Sequence, residues 1–557
     1  MSHPVFSSAL SAFLLGAVSA HAASDSGATA TFSAISYTAH NPFDDVAPLK
    51  HNQFRNPIIP GFHPDPSIVR VGDDYYLVNS SFAYYPGLPL FHSRDLVHWA
   101  QIGNAIDRPD MFDFQGLGIA RAVFAPTLRF HDGVFFIINT CEECGGNFII
   151  TARNPAGPWS KPVFLNEVDG IDTDLFFDED GRVWVANNGP PVGTPRYDGH
   201  RALWLQELDL ATMRMIGPRS VIVDGGVHPA DKPIWTEGPH IFKKDGWYYL
   251  IAAEGGTAGE HSETVYRARV VTGPYTPGPI NPILTQRDLD PARPYPVYAT
   301  GHADFVQTPK GDWWAVFLGT RPYRANLSSM GRETFMLPVT WHDGWPLILP
   351  AKTVVPQAEI APRLAPVSAK LAPAKLGALS PDWLMLRTPN ARWYHVTVAD
   401  SLVLDARTES LSGKGNPAFL AKRQAERRET VTADLVYAPS RVGDHAGLAA
   451  FADEDHFYTF GVWQTAHGRA LIVTLRNGRD DPEDGKPVAS VPLDNIASRV
   501  KLRIKINDPN YSFDYALADN KWHTLMPHAD STMLASESSN QFTGVVIGPY
   551  AARGSAQ

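Results

Sequence analysis

Three acidic residues introduce three segments of similar pattern: Asp65 in GFHPDPSIVR, Asp172 in GIDTDLFF and Glu237 in WTEGPH. Each stands at or just before a short apolar run of the kind that forms a strand. One such acid alone is most simply a turn cap or the partner of an arginine. Three at matched positions can do more if the elements behind them bring them together. Crowded carboxyl groups raise one another's proton affinity, and an apolar wall raises it further. One then keeps its proton near neutral pH while another stays ionised. That division suits hydrolysis of a glycosidic bond, which needs an acid for the leaving oxygen and a base or nucleophile on the opposite face. A third carboxylate can orient the acid. Pro64 and Pro66 flank Asp65, and Pro66 predicts extended backbone there.

The elements that must position these acids form a repeat. Segments beginning at Asp65, Ala125, Asp172, Glu237 and His302 share a head residue, an apolar strand, a turn rich in Gly and Asp, and an apolar or aromatic strand. The turns GDD, HDG, DEDG, KKDG and PKGD carry tight-hairpin residues. The heads are 60, 47, 65 and 65 residues apart. Five such units predict a five-bladed β-propeller with further strands between the hairpins. A sandwich seldom repeats one hairpin five times, and β-helix repeats are shorter. In a propeller the innermost strands begin beside a central channel, so Asp65, Asp172, Glu237 and His302 are expected to face one pocket. Calcium is the other ligand that clustered acids could hold, but DEDG at Asp178–Gly181 is only a fragment of a calcium loop and reads as a hairpin turn.

Composition narrows the class. The chain has 557 residues, 48 basic and 58 acidic, with net charge -10 and no dense basic block. A nucleic-acid surface is not indicated. Residues 5–24 form an apolar run ending in small residues, with Ala20-His21-Ala22 as a signal-peptidase-like site, although the segment before them lacks Lys and Arg. Export to the periplasm or medium, with cleavage after Ala22, is the expectation. No later run is long enough to span a membrane. The only cysteines, Cys141 and Cys144, lack the second pair a zinc site needs. They read as a tight local disulfide or as structural thiols.

The stretches NPIIPGFHPDPSI, GIDTDLFFDEDG, WTEGPHIFKKDGWYYL and SSMGRETFMLPVTW, in order across about Asn56 to Trp345, resemble glycoside hydrolase family 43, the β-xylosidases and α-L-arabinofuranosidases. The resemblance implies a five-bladed propeller and an inverting single displacement. By motif, Asp65 resembles the general base that activates water and Asp172 the residue that orients the acid and raises its pKa. Glu237 resembles the general acid. Asp174 is the rival for the middle role. Inversion leaves room for a water, so the Asp65 and Glu237 carboxyls are expected roughly 6.5–9.5 Å apart. Arg332 in MGRET matches an arginine that reaches into the sugar site, with pairing to Glu333 as the alternative. Phe82 and Phe124 are candidate apolar walls, Phe124 standing where related sequences commonly carry Trp. His302 in ATGHADF resembles a channel histidine that can help hold a structural calcium ion or a water cluster, a purely structural histidine being the alternative. No cofactor is required for the chemistry.

Beyond Trp345 a Pro-, Ala- and Lys-rich connector precedes period-two runs such as ETVTADLVYAP and AGLAAFADEDHFYTFGVW. These predict a β-sandwich resembling the concanavalin-like domain behind some family 43 propellers. The expected organisation is a signal peptide at 1–22, an N-terminal extension at 23–50, the propeller at 51–345, a linker at 346–379 and the sandwich at 380–557. The expected activity is exo-acting release of xylose from xylo-oligosaccharides. α-L-Arabinofuranosidase or dual activity is the close alternative, and a propeller lectin is the non-enzymatic one. Oligomeric state is left open by the sequence.

Overall fold

The computed structural model describes residues 28–364, 378–493, 499–535 and 542–554. The signal-peptide segment and residues 365–377 of the connector lie outside them.

Every predicted hairpin forms, and each opens an antiparallel sheet whose four main strands follow chain order. Their innermost strands are Ser67–Val71, Thr127–His131, Ile171–Phe177, Glu237–Lys244 and Tyr298–Gln307. Each of these five strands neighbours the next, and the fifth neighbours the first, so the sheets close a ring. This is a β-propeller. Apolar cores fill the space between successive sheets. Ile138 and Leu175 belong to the core between the second and third, Phe176 and Leu250 to that between the third and fourth, and Tyr249 and Phe317 to that between the fourth and fifth. Leu77 and Val316 close the ring between the fifth and first. Because both faces of most sheets are covered, the second strands read as near-continuous apolar runs.

Buried ion pairs tie the inner strands together below the channel mouth. The Arg129 guanidinium reaches Asp174 at 2.6 Å and Asp304 at 2.9 Å, joining the second, third and fifth sheets. Asp174 also accepts the Ile241 N–H at 2.9 Å, and Asp304 accepts the Ser67 hydroxyl at 2.7 Å. Removing one partner of a buried pair strands the other charge in a poorly solvating interior. Arg129→Leu is therefore expected to lower unfolding stability by about 3–5 kcal/mol. Urea or thermal unfolding reads this directly; an unchanged midpoint would contradict it.

The second domain is a sandwich of a seven-stranded and a six-stranded antiparallel sheet. Its seven-stranded sheet includes Thr29–His40, which lies between Leu402–Asp405 and Arg428–Tyr437. The segment read as an N-terminal extension thus supplies an internal strand of the distant domain. The reason is apolar: Ala30 and Phe32 are fully buried in the sandwich core. The connector returns along the propeller, where Ala358–Ile360 pairs with Gln53–Arg55.

The domains share a core in which Val78, Ile137 and Phe148 of the propeller join Leu386, Phe419 and Phe451 of the sandwich. Arg321 bridges the boundary, at 2.7 Å from Glu333 and 2.9 Å from Glu426. Among the described residues no helix is long and apolar enough to cross a membrane.

Candidate active site

At the mouth of the ring is a cavity of about 430 Å³. Asp65, Asp172, Glu237, His302, Arg332, Phe82 and Phe124, the residues singled out from sequence, all line it. They come from all five sheets.

Local backbone geometry aims the side chains inward. Asp65, Asp172 and His302 have φ of +52°, +55° and +54°. This left-handed region is unfavourable for side-chain-bearing residues, and strain of this kind concentrates at functional sites. The extended backbone predicted at Asp65 is not what forms. Its carboxylate is drawn instead to the Ser80 hydroxyl and to Arg332, whose Nη1 is 3.4 Å away. Irregular pairing does similar work in the next strands. The register shifts between Ile171 and Asp174, and again between Glu237 and His240. Such bulges re-aim side chains.

The first bulge separates Asp172 from Asp174, two residues that a regular strand would present on one face. Asp172 lines the cavity, whereas Asp174 is fully buried in the Arg129 network and does not. Asp172 is therefore the one available to a ligand. His302 Nε2 lies 3.8 Å from Asp172 Oδ2. The imidazole also fits against Gly238, where a Cβ would come within 2.7 Å of the ring.

The carboxyls occupy unlike environments. Burial, then the charge of Asp172, pushes Glu237 up to about 8, against the pull of His302 and Arg332. Burial also opposes ionisation of Asp65, but Arg332, His302 and the Ser80 hydroxyl together outweigh it and hold this carboxyl below its ordinary value. At His302 burial disfavours the imidazolium, yet the nearby Asp172 carboxylate, 3.8 Å away, and the charges of Asp65 and Glu237 raise its pKa to about 9. The pocket thus holds a carboxyl poised to keep its proton and another poised to lose it.

Arg332 faces Asp65 rather than the neighbouring Glu333, whose carboxylate is engaged by Arg321 and the Gly61 N–H. Phe82 and Phe124 meet edge to face at 5.9 Å. Around His302, the described residues bring together no group of three His, Cys, Asp or Glu side chains able to hold a metal ion. The His302 Nδ1 is buried without a protein hydrogen-bond partner.

One wall comes from outside the propeller. Phe542 of the sandwich stacks on Phe82 at 6.2 Å and lies beneath the Arg332 guanidinium at 5.2 Å. The Val545 N–H donates to the Ser329 carbonyl at 2.8 Å, pinning this segment beside Arg332. Gly331 meets it so closely that a Cβ would lie 2.7 Å from the Gly544 nitrogen. No motif around Phe542 signals this role. Trp235 and Arg201 also line the cavity and were missed; Trp235, two residues before Glu237 in WTEGPH, was legible in principle.

A propeller whose axial pocket holds an acid and a base of opposed proton affinity beside an apolar wall is built as a glycoside hydrolase. Residues 54–346 match the model of glycosyl hydrolases family 43, and residues 375–557 match that of the β-xylosidase C-terminal concanavalin A-like domain. The chain belongs to family 43. It is 39% identical over 511 residues to a xylosidase/arabinosidase of Butyrivibrio fibrisolvens, covering 89% of this chain and 95% of that one. It is 35% identical over 531 residues to the non-reducing end α-L-arabinofuranosidase BoGH43B of Bacteroides ovatus, covering 90% and 92%. Among solved structures, a GH43_12 protein from a capybara gut metagenome superposes with a TM-score of 0.85 at 32% identity, over 94% of this chain and 99% of that one. Xylan β-1,4-xylosidase of Bacillus halodurans superposes at 0.80 with 31% identity, over 90% and 96%.

Proposed function

We propose that this glycoside hydrolase is an exported, exo-acting β-xylosidase that releases xylose from the non-reducing ends of xylo-oligosaccharides with inversion. The observation that carries the reading is the convergence of Asp65, Asp172 and Glu237 on a cavity that Phe542 of the sandwich walls on one side. A pocket walled on one side suits a terminal sugar rather than the middle of a chain.

In this mechanism Glu237 gives its proton to the glycosidic oxygen as the bond to the anomeric carbon breaks. Asp65 takes a proton from a water that attacks the same carbon from the opposite face. Each turnover leaves Glu237 ionised and Asp65 protonated, and exchange with solvent restores both. Burial, and then the charge of Asp172, keep Glu237 protonated. Arg332 holds Asp65 ionised and offers a planar fork to sugar hydroxyls. Both proton transfers belong to carboxyls, so the reaction requires no cofactor.

Export is supported by the apolar leader ending at Ala22 and by the Cys141–Cys144 disulfide, a bond favoured in oxidising compartments. α-L-Arabinofuranosidase or dual activity is the second reading, favoured by the names of the Bacteroides arabinofuranosidase and the Butyrivibrio xylosidase/arabinosidase.

Side-by-side assays on nitrophenyl β-xylopyranoside and nitrophenyl α-L-arabinofuranoside test the sugar. A higher kcat/KM on the xyloside is expected, and the reverse order overturns the assignment. Proton NMR of early product tests the stereochemistry: α-xylopyranose first means inversion, and β-xylopyranose first means retention.

A further inference from the structure

Next to the catalytic cavity is a second recess, of about 580 Å³, lined by Tyr197, Asp198, His200 and Ile234 and sharing Arg201 and Trp235 with the cavity. We infer that this recess is an outer sugar subsite, which binds the leaving-group portion of a xylo-oligosaccharide of three or more units. The inference rests on the hydrolase reading above and extends it to how substrate length is recognised.

The position favours a leaving group. Trp235 precedes Glu237 by two residues, so it stands beside the group assigned to protonate the leaving oxygen. Phe542 walls the cavity at the Phe82 and Arg332 side. An oligosaccharide with its terminal sugar in the cavity therefore continues over the third and fourth sheets, where the recess opens.

The recess is built rather than incidental. Two loops form it, one between the second and third strands of the third sheet and one leading to Glu237. The Trp235 N–H donates to the Gly199 carbonyl at 2.9 Å, and the Tyr197 hydroxyl donates to the Pro233 carbonyl at 2.8 Å. His200 anchors the first loop through Asp224 at 2.8 Å and stacks on Tyr197 at 4.8 Å. Trp235 itself has φ of +50°. For a bulky residue that is a true outlier, and such outliers cluster at ligand clamps.

The chemistry on offer suits a sugar. The Arg201 guanidinium lies over the Trp235 ring at 4.0 Å. No described carboxylate forms an ion pair with it, so its fork is available to hydroxyls. Asp198 is exposed and adds an acceptor, and Ile234, 40% exposed, gives an apolar face. Polar forks beside aromatic and apolar faces are the usual means of gripping a pyranose ring.

The test compares kcat/KM for xylobiose, xylotriose and xylotetraose with that for nitrophenyl β-xylopyranoside. Wild type is expected to gain several-fold from xylobiose to xylotriose and little thereafter. Asp198→Ala and Ile234→Trp, one removing an acceptor and the other filling the recess, are expected to reduce that gain while a nitrophenyl glycoside is hydrolysed as before. Two variants guard against a local folding failure in either. No gain in wild type, or an undiminished gain in both variants, overturns the subsite. If the arabinofuranoside proves the better donor, arabinosyl-xylobiose and arabinosyl-xylotriose replace the linear series. The leaving portion is still a xylo-oligosaccharide, so failure of the sugar assignment and failure of the recess read out separately.

Discussion

Glu237→Gln is expected to reduce kcat/KM on xylobiose by about 10³-fold, within the usual 10²–10⁴ range for a lost general acid. The same variant is expected to keep most of its activity on aryl xylosides whose phenols are strongly acidic. A xylose leaving group departs as a poor alkoxide unless protonated, whereas an acidic phenolate leaves unaided. The pH profile supplies a second readout. In the proposed mechanism Glu237 acts in its protonated form, and its pKa is raised to about 8, so wild-type kcat/KM should fall as pH rises through that region. Asp65 must be ionised and its pKa is lowered, so the acid limb should lie below the ordinary carboxylate range. Glutamine cannot titrate, and the variant should lose the alkaline limb on aryl substrates. Equal losses on xylobiose and on acidic phenyl xylosides would remove Glu237 from the role of acid.

Asp65→Asn is expected to cripple every substrate alike, by about 10²–10⁴-fold in kcat. Water must be activated whatever leaves, so an activated phenol offers no escape. The amide can still meet the Ser80 hydroxyl and Arg332 by hydrogen bonding, which should preserve folding and leave KM little changed. It cannot accept the water's proton. Substantial turnover on any substrate by Asp65→Asn would contradict the assignment of base. Together the variants separate the roles: leaving-group sensitivity marks the acid, and indifference to the leaving group marks the base.

Much of this architecture is legible locally. Hairpin turns declare themselves through Gly and Asp, and inner strands through short apolar runs, because turn geometry and burial act over a few residues. Five recurrences of one unit then suffice to predict a propeller. Convergence of the head residues follows from symmetry, since equivalent positions in equivalent sheets meet at the axis. The motif resemblance led to the same family through Asp65, Asp172 and Glu237.

The aim of individual side chains was less legible. Asp172 and Asp174 are separated in role by a bulge, which the sequence GIDTDLFF does not announce. Asp65 adopts a left-handed backbone that its following proline argued against, because Ser80 and Arg332 hold its carboxylate from other strands. Arg332 could equally have turned to Glu333; Arg321, across the domain boundary, already engages that partner.

The sequence by itself determined the repeat, the two-domain order and the identity of the acids, all of which are written in local periodicity and turn chemistry. Tertiary structure alone decided that Thr29–His40 completes the distant sandwich, that Phe542 walls the axial cavity, and that Arg201 and Trp235 join the cavity to a neighbouring recess. Each of those depends on which apolar surfaces find one another across hundreds of residues. Such pairings arise from burial summed over the whole molecule, and no short stretch of sequence carries that sum.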